Sequence, residues 1–139
     1  LMLANVIKQA KPSLVVLEDY AMGARGNNMF HIGELGGVLK TMVWEQGIDY
    51  MLVPPTVMKS VIALSGRAEK QQISAALSVR FGVTVRQHDE ADAVGLMILG
   101  QMRTGARKVD AQSAKSGRFD AVSGIQITPG KLNLISNPR

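Results

Sequence analysis

Residues 14–18 read Leu-Val-Val-Leu-Glu, a short aliphatic run that ends in a carboxylate. A run of this kind is typical of a strand that is buried on both faces, as in parallel sheets. Residues 50–53 read Tyr-Met-Leu-Val and stop at two prolines, so they indicate a second strand of the same type. Stretches with helical spacing precede and separate the two runs. This alternation predicts an α/β fold with parallel strands.

The helical stretches are marked by apolar side chains that recur every three or four residues. They cover residues 1–10, 30–46, 56–64, 68–81 and 89–102. Pro12 ends the first, and Gly82 stands where a helix C-terminus favours glycine. Residues 23–28 read as a loop, and residues 83–85 and 122–128 are possible short extended pieces. Helical periodicity fails beyond Thr104.

Composition narrows the class of protein. The chain has 139 residues, of which 46% are apolar, so it suits one domain with a hydrophobic core. The absence of cysteine excludes disulfides, zinc–thiolate sites and thiol nucleophiles, and fits a reducing compartment such as the cytoplasm. The longest uncharged stretch with helical character, residues 93–102, is far shorter than the ~20 residues that span a bilayer. We therefore expect no membrane association.

The formal net charge of +5 lies entirely in the last part of the chain. Residues 1–102 are neutral, whereas residues 103–139 hold seven basic and two acidic side chains. We therefore divide the chain into a globular part, 1–102, and a basic C-terminal tail, 103–139. Such a tail suits phosphate contacts with nucleic acid, or equally a solvated segment that keeps the protein in solution.

Carboxylates occupy two positions that suit a metal site. Glu18 directly follows the first strand, at the edge where α/β sheets bind ligands, although a polar residue is also ordinary there. Asp89 and Asp92 share one face at the start of the last helix, with Glu90 between them. Asp89 could be a helix cap, but three acids at one helix end repel each other unless a cation such as Mg²⁺ neutralises them.

Basic residues precede or open the helix at 68–81. Arg67 and Lys70 could both contact a phosphate there, or could form a solvated helix start. Lys59, in the preceding helix, is a weaker candidate for a phosphate contact when only its spacing is considered.

Five segments in order, LVVLEDYAMG, GELGGVL, VPPTVMKSVI, SGRAEKQQI and HDEADAVGLMI, resemble the RuvC-type Holliday junction resolvases of the RNase H-like superfamily. The resemblance covers residues 1–102 and implies an RNase H-like mixed sheet flanked by helices. In that family three antiparallel strands come first, and the first of them carries another catalytic Asp. This chain begins at the helix that follows, so we expect a fragment without its first three strands.

The resemblance also assigns roles to the residues. It implies Glu18, Asp89 and Asp92 as catalytic metal ligands for Mg²⁺, for which Mn²⁺ can substitute, and Lys70 as a catalytic residue near the scissile phosphate. The loop after the Glu enters the junction in the family. Here the loop begins Tyr20-Ala21-Met22, so the family's aromatic residue is absent from its expected position and Tyr20 is a possible substitute. The DNA-binding residues that we expect are Lys59, Arg67, Lys70, Tyr20 and Arg25.

The function implied is a structure-specific crossover junction endonuclease of DNA recombination and repair. It would nick branched DNA, four-way junctions in particular, by two-metal phosphodiester hydrolysis. The family acts as a homodimer, and the glycines of the helix at 30–46 suggest part of that interface. The expected location is the cytoplasm of a bacterium, or of the host if the source is viral. The alternative is a non-catalytic DNA-binding or assembly module that retains the fold, and an upstream strand ending in Asp would favour the enzyme.

Overall fold

A computed structural model describes residues 2–19 and 28–131, with the side chains of 28 and 29 excepted. The chain divides into two compact units, Leu1–Leu52 with Gln126–Arg139, and Val53–Ile125. The elements, in chain order, are α1 (Met2–Ala10), β1 (Leu14–Glu18), α2 (Asn28–Glu45), β2 (Asp49–Val53), α3 (Pro55–Ala63), α4 (Lys70–Phe81), α5 (His88–Thr104), α6 (Ala111–Lys115), α7 (Asp120–Ser123) and β3 (Ile127–Thr128).

The three strands of the described residues form one mixed sheet in the order β1-β2-β3. β3 pairs antiparallel with β2, with Tyr50 opposite Thr128 and Met51 opposite Ile127. β1 and β2 are the two strands expected from the apolar runs, so the α/β class is confirmed. β3 is shorter than the extended piece expected at 122–128, because α7 occupies the first part of that range.

The first unit has a small apolar core between its helices and the sheet. Ile7 of α1, Val43 of α2 and Ile48 are buried together, and the half-buried side chains Val15, Met42 and Tyr50 pack against them. After β3 the chain passes very close to the turn between α2 and β2. A Cβ on Gly130 would lie 2.7 Å from the carbonyl oxygen of Gly47, so only glycine fits there.

The second unit is built on the mutual packing of α3, α4 and α5. Its fully buried side chains include Val61, Ile62, Ile73, Leu77, Ile98 and Leu99. Gly95 of α5 lets that helix approach α3, because a Cβ there would lie 2.8 Å from Sδ of Met58. Gly82 ends α4 with φ of 67°, which is the C-terminal position that the sequence predicted.

Residues 103–131 differ from the irregular basic tail expected from the sequence. They contain α6, α7 and β3, and two of their arginines are used inside the second unit. Arg103 donates to the carbonyl of Ile125 at 3.3 Å, and Arg107 donates to Oε1 of Gln101 at 2.9 Å. The helices have only five and four residues, which is too short for a periodic pattern to appear. The part of this segment up to Lys131 is therefore folded, not a free tail.

One smaller expectation also changes. Residues 83–85 have an irregular conformation, with no strand. None of the helices in the described ranges is long and apolar enough to cross a membrane.

Candidate active site

Lys70 is the first residue of α4, and the turn before it is held by hydrogen bonds of its neighbours. The backbone N–H of Glu69 donates to Oε1 of Gln72 at 2.8 Å, which is half of a capping box. Arg67 is exposed in this turn, and its N–H donates to Oγ of Ser65 at 3.3 Å. The start of α4 therefore has a defined geometry from which the Lys70 side chain projects.

Lys70 and Asp89 lie next to each other. Nζ of Lys70 is 3.5 Å from Oδ1 of Asp89, with the two side chains 60% and 93% exposed. An ion pair that is this open to solvent contributes little to stability. The contact matters instead because it shows that the N-terminal ends of α4 and α5 lie side by side, with an ammonium group and a carboxylate at the same surface.

Asp92 is one turn further along α5 and is half-buried. Its Oδ1 is buried and has no hydrogen-bond partner among the described residues. A buried carboxylate oxygen without a donor or a cation is energetically costly. Asp89 lies on the same face of the helix, and carboxylate oxygens are the ligands that Mg²⁺ and Mn²⁺ prefer. The two residues therefore fit a divalent cation.

The structure does not make Asp89 a helix cap. α5 begins at His88, after Gln87, and no side chain caps it at that position. Glu90 instead accepts a hydrogen bond from the N–H of Arg86, at 3.0 Å. Because Glu90 serves the helix end, Asp89 and Asp92 are left for another role.

The other predicted site residues are placed as follows. Glu18 is the half-buried last residue of β1, in the first unit. Lys59 is half-buried in α3, while Tyr20 and Arg25 lie outside the described residues. Within residues 2–19 and 28–131, no three His, Asp or Glu side chains are close enough together to hold a metal ion. The three-acid ligand set stays a prediction.

Arg80 is a structural residue that the sequence analysis did not single out. Its guanidinium donates to the carbonyls of Val61 and Ile62, to Oδ2 of Asp110 at 2.6 Å and to Oγ of Ser113 at 3.2 Å. Burial alone would raise the pKa of Asp110, but hydrogen bonds from Ser113 and Arg80 outweigh it and hold that pKa below its usual value. The available signal was an arginine in register with the apolar face of α4.

The comparisons with known proteins identify one family. The family model described as "RuvC: Crossover junction endodeoxyribonuclease RuvC" matches residues 2–99. A protein of that name from Anaeromyxobacter sp. is 30% identical over 76% of this chain and 51% of its own length. Another, from Chlorobium phaeovibrioides, is 22% identical over 88% of this chain and 66% of its own. The chain thus spans about half to two-thirds of the length of these curated relatives.

Solved structures agree on the fold. Thermus thermophilus RuvC matches with a TM-score of 0.59 and 18% identity, over 92% of this chain and 68% of its own. The same protein in complex with a Holliday junction substrate matches with a TM-score of 0.58 and 21% identity, over 68% of this chain and 59% of its own. The fold is RNase H-like. With the family match over residues 2–99, the chain belongs to the RuvC family of crossover junction endodeoxyribonucleases.

Proposed function

We propose that the whole protein is a metal-dependent endonuclease that nicks four-way DNA junctions in the cytoplasm. One observation of the structure carries the proposal. Two carboxylates and an ammonium group converge where α4 and α5 begin, and Oδ1 of one of these carboxylates, Asp92, is buried without a partner in the described part of the chain. Membership of the RuvC family supplies the substrate class. The relative solved with a Holliday junction substrate supports the same choice.

Asp89 and Asp92 would hold a divalent cation, Mg²⁺ or Mn²⁺, and Glu18 completes the acid set that we propose. Bound cations, two in the mechanism we favour, would supply positive charge to the scissile phosphate and lower the pKa of a nearby water. The chain itself contributes by holding these carboxylates in fixed positions. Asp92 does so from a half-buried position on α5, and Asp89 from the exposed turn before it.

Lys70 would bind the phosphate itself. Its ammonium group is mostly exposed, and its ion pair with Asp89 is long and open to solvent. Little free energy is therefore needed to turn it from Asp89 to a non-bridging phosphate oxygen. There it would offset the negative charge that develops as the 3′ oxygen leaves. Arg67 and Lys59 would contact neighbouring phosphates, and Tyr20 and Arg25 the junction centre.

We further propose that the protein acts as a homodimer through α2. Large apolar side chains on this helix are exposed, with Phe30 at 71%, Leu35 at 59% and Val38 at 58%. A shallow groove follows one face of α2, lined by Glu34, Gly37, Val38, Thr41, Met42 and Glu45. Two symmetric nicks in a four-way junction require two active sites related by a two-fold axis, which a dimer supplies.

The test is Asp92→Asn in the full-length protein. We expect nicking of a four-way junction in Mg²⁺ to be lost while junction binding survives, because removing a negative charge does not weaken attraction to phosphates. Asp120→Asn, an exposed carboxylate of α7, is the matched control and should nick at the rate of the unmodified protein.

Two results would contradict the proposal. Metal-dependent nicking that persists in Asp92→Asn would remove Asp92 from the site. Junction binding without nicking by the unmodified full-length protein, in either Mg²⁺ or Mn²⁺, would favour the alternative of a non-catalytic DNA-binding or assembly module.

A further inference from the structure

The C-terminal part of the second unit, residues 105–125, carries cations that the fold does not use. We call it the α6–α7 segment. Lys108 and Lys115 are exposed and Arg118 is half-exposed. None of these three side chains makes an ion pair or a hydrogen bond within the described residues. Asp120 is an exposed carboxylate in the same segment, so free positive charge exceeds free negative charge there.

The α6–α7 segment is held firmly against the rest of its unit. Asp110 bonds to Arg80 of α4 at 2.6 Å, and its Oδ2 also accepts the N–H of Ser113 at 3.2 Å. Ser113 is fully buried, as is Val122 of α7. At the other end of the segment Arg103 donates to the carbonyl of Ile125. The three cations are therefore presented by a folded surface in a fixed relation to α4 and α5.

Helix geometry gives the distance from the candidate active site to the ends of α4 and α5, where the α6–α7 segment is attached. Lys70 and Asp89 mark the beginnings of α4 and α5, whereas Arg80 and Thr104 mark their ends. With a rise of about 1.5 Å per residue, the ends lie about 15 Å and about 22 Å along the two helix axes. Both helices therefore run from the candidate active site toward the α6–α7 segment. Phosphates of one strand follow each other at about 3.4 Å of duplex axis, so the separation corresponds to about 4–7 base pairs.

We propose that the α6–α7 segment is a second DNA-contact surface, which binds backbone phosphates of a duplex arm about 4–7 base pairs from the phosphate at the candidate active site. The cations responsible are Lys108, Lys115 and Arg118. They contact phosphates and not base edges, so they add affinity for duplex DNA of any sequence. The inference rests on the proposed function, which identifies DNA as the ligand. It adds which surface of the protein contacts a duplex arm and how far along the DNA that contact lies from the active site.

The experiment compares two double variants of the full chain that remove the same charge. Lys108→Gln with Lys115→Gln changes the α6–α7 segment, and Lys8→Gln with Lys11→Gln changes exposed lysines of the first unit. The affinity of each for a linear duplex and for a four-way junction is measured against salt concentration. We expect the slope of log affinity on log salt to fall by about 2 in the first variant, on both DNAs, and to stay unchanged in the second.

Arg118→Gln alone should lower the slope by about 1, and thermal melts should show that all variants keep the stability of the unmodified chain. Equal slopes in the two double variants would overturn the inference. An unmodified chain that binds duplex but neither prefers nor nicks junctions would overturn the proposed function alone. A chain that binds neither DNA would overturn both.

Discussion

The guanidinium of Arg80 lies 2.6 Å from the carboxylate of Asp110 and joins the last turn of α4 to the residue that precedes α6. The two side chains are only 12% and 26% exposed, so solvent screens the pair weakly. Arg80 also donates to carbonyls at the end of α3, and its guanidinium lies 5.0 Å from the ring centre of Phe81. A single side chain thus connects the C-terminal ends of two helices to the start of the α6–α7 segment.

Asp110→Ala should lower the free energy of unfolding by about 2–4 kcal/mol. The substitution removes the cap of α6 and leaves the mostly buried guanidinium of Arg80 without its anion. Urea denaturation at neutral pH measures the loss. Asp120→Ala, at an exposed position of α7, is the control and should change stability by no more than about 0.5 kcal/mol. Equal effects of the two substitutions would mean that the Arg80 network does not hold the segment.

The lowered pKa of Asp110 predicts that the stability of the folded chain depends on pH in the acid range. Hydrogen bonds from Ser113 and Arg80 hold the pKa of Asp110 below its value in the unfolded chain, about 3.9. A lowered folded-state pKa means that its stabilisation is fully present above about pH 4 and is lost as pH falls through the folded-state pKa. The stability difference between the unmodified chain and Asp110→Asn should therefore be constant from pH 7 to 5 and shrink toward pH 3. A difference that stays constant to pH 3 would contradict the assignment.

The sequence predicted the elements whose pattern is local. Residues 14–17 and 50–53 are apolar runs bounded by polar residues or prolines, and both are strands in the structure. The long helices show their spacing in the same way. The role of Arg80 could not be predicted, because its partner Asp110 lies 30 residues away and only the packing of α4 brings them together.

The candidate site was predictable in its residue types and less so in its geometry. The spacing of Asp89 and Asp92 gave the shared helix face, but a cap at Asp89 was equally consistent with that spacing. The structure excludes the cap, because α5 begins at His88 without a side-chain cap and Glu90 bonds to the N–H of Arg86; the metal-binding role of the pair stays a prediction. The proximity of Lys70 to Asp89 depends on how α4 packs on α5, which no local pattern contains.

Divalent cations should stabilise the protein through Asp92. Its buried Oδ1 has no partner in the described part of the chain, so a bound cation would satisfy it and favour the folded state. We expect the melting temperature of the unmodified chain to rise with Mg²⁺ or Mn²⁺, and that of Asp92→Asn not to respond. Without metal, Asp92→Asn should melt at the same or a higher temperature, because it removes a buried charge. A metal-induced shift of equal size in both proteins would exclude Asp92 as a ligand.

Gly95→Ala should destabilise the second unit by about 1–3 kcal/mol, because the new methyl group would overlap Met58 of α3. The sulfur of Met58 would lie 2.8 Å from the added Cβ, which is shorter than a van der Waals contact. The double variant Gly95→Ala with Met58→Ala should lose less than the sum of the two single changes, since the smaller side chain makes room. Strict additivity in urea denaturation would show that α5 does not approach α3 at this position.

If α2 is the dimer interface, one substitution on this helix should stabilise the monomer and also weaken its dimerisation. A Cβ on Gly37, which lines the groove of α2, would meet no atom of the described residues within 4 Å, so Gly37→Ala should stabilise the isolated helix by about 1 kcal/mol. If a second copy packs against this face, the same methyl group keeps the two helices apart and weakens the dimer. Sedimentation equilibrium should then show a dissociation constant at least about tenfold higher, a change of about 1.4 kcal/mol. Leu35→Ser, which removes an exposed apolar contact, should weaken the dimer without stabilising the helix. An unmodified full-length protein that remains monomeric, or a Gly37→Ala variant that dimerises as tightly as the unmodified protein, would rule out this face of α2 as the interface.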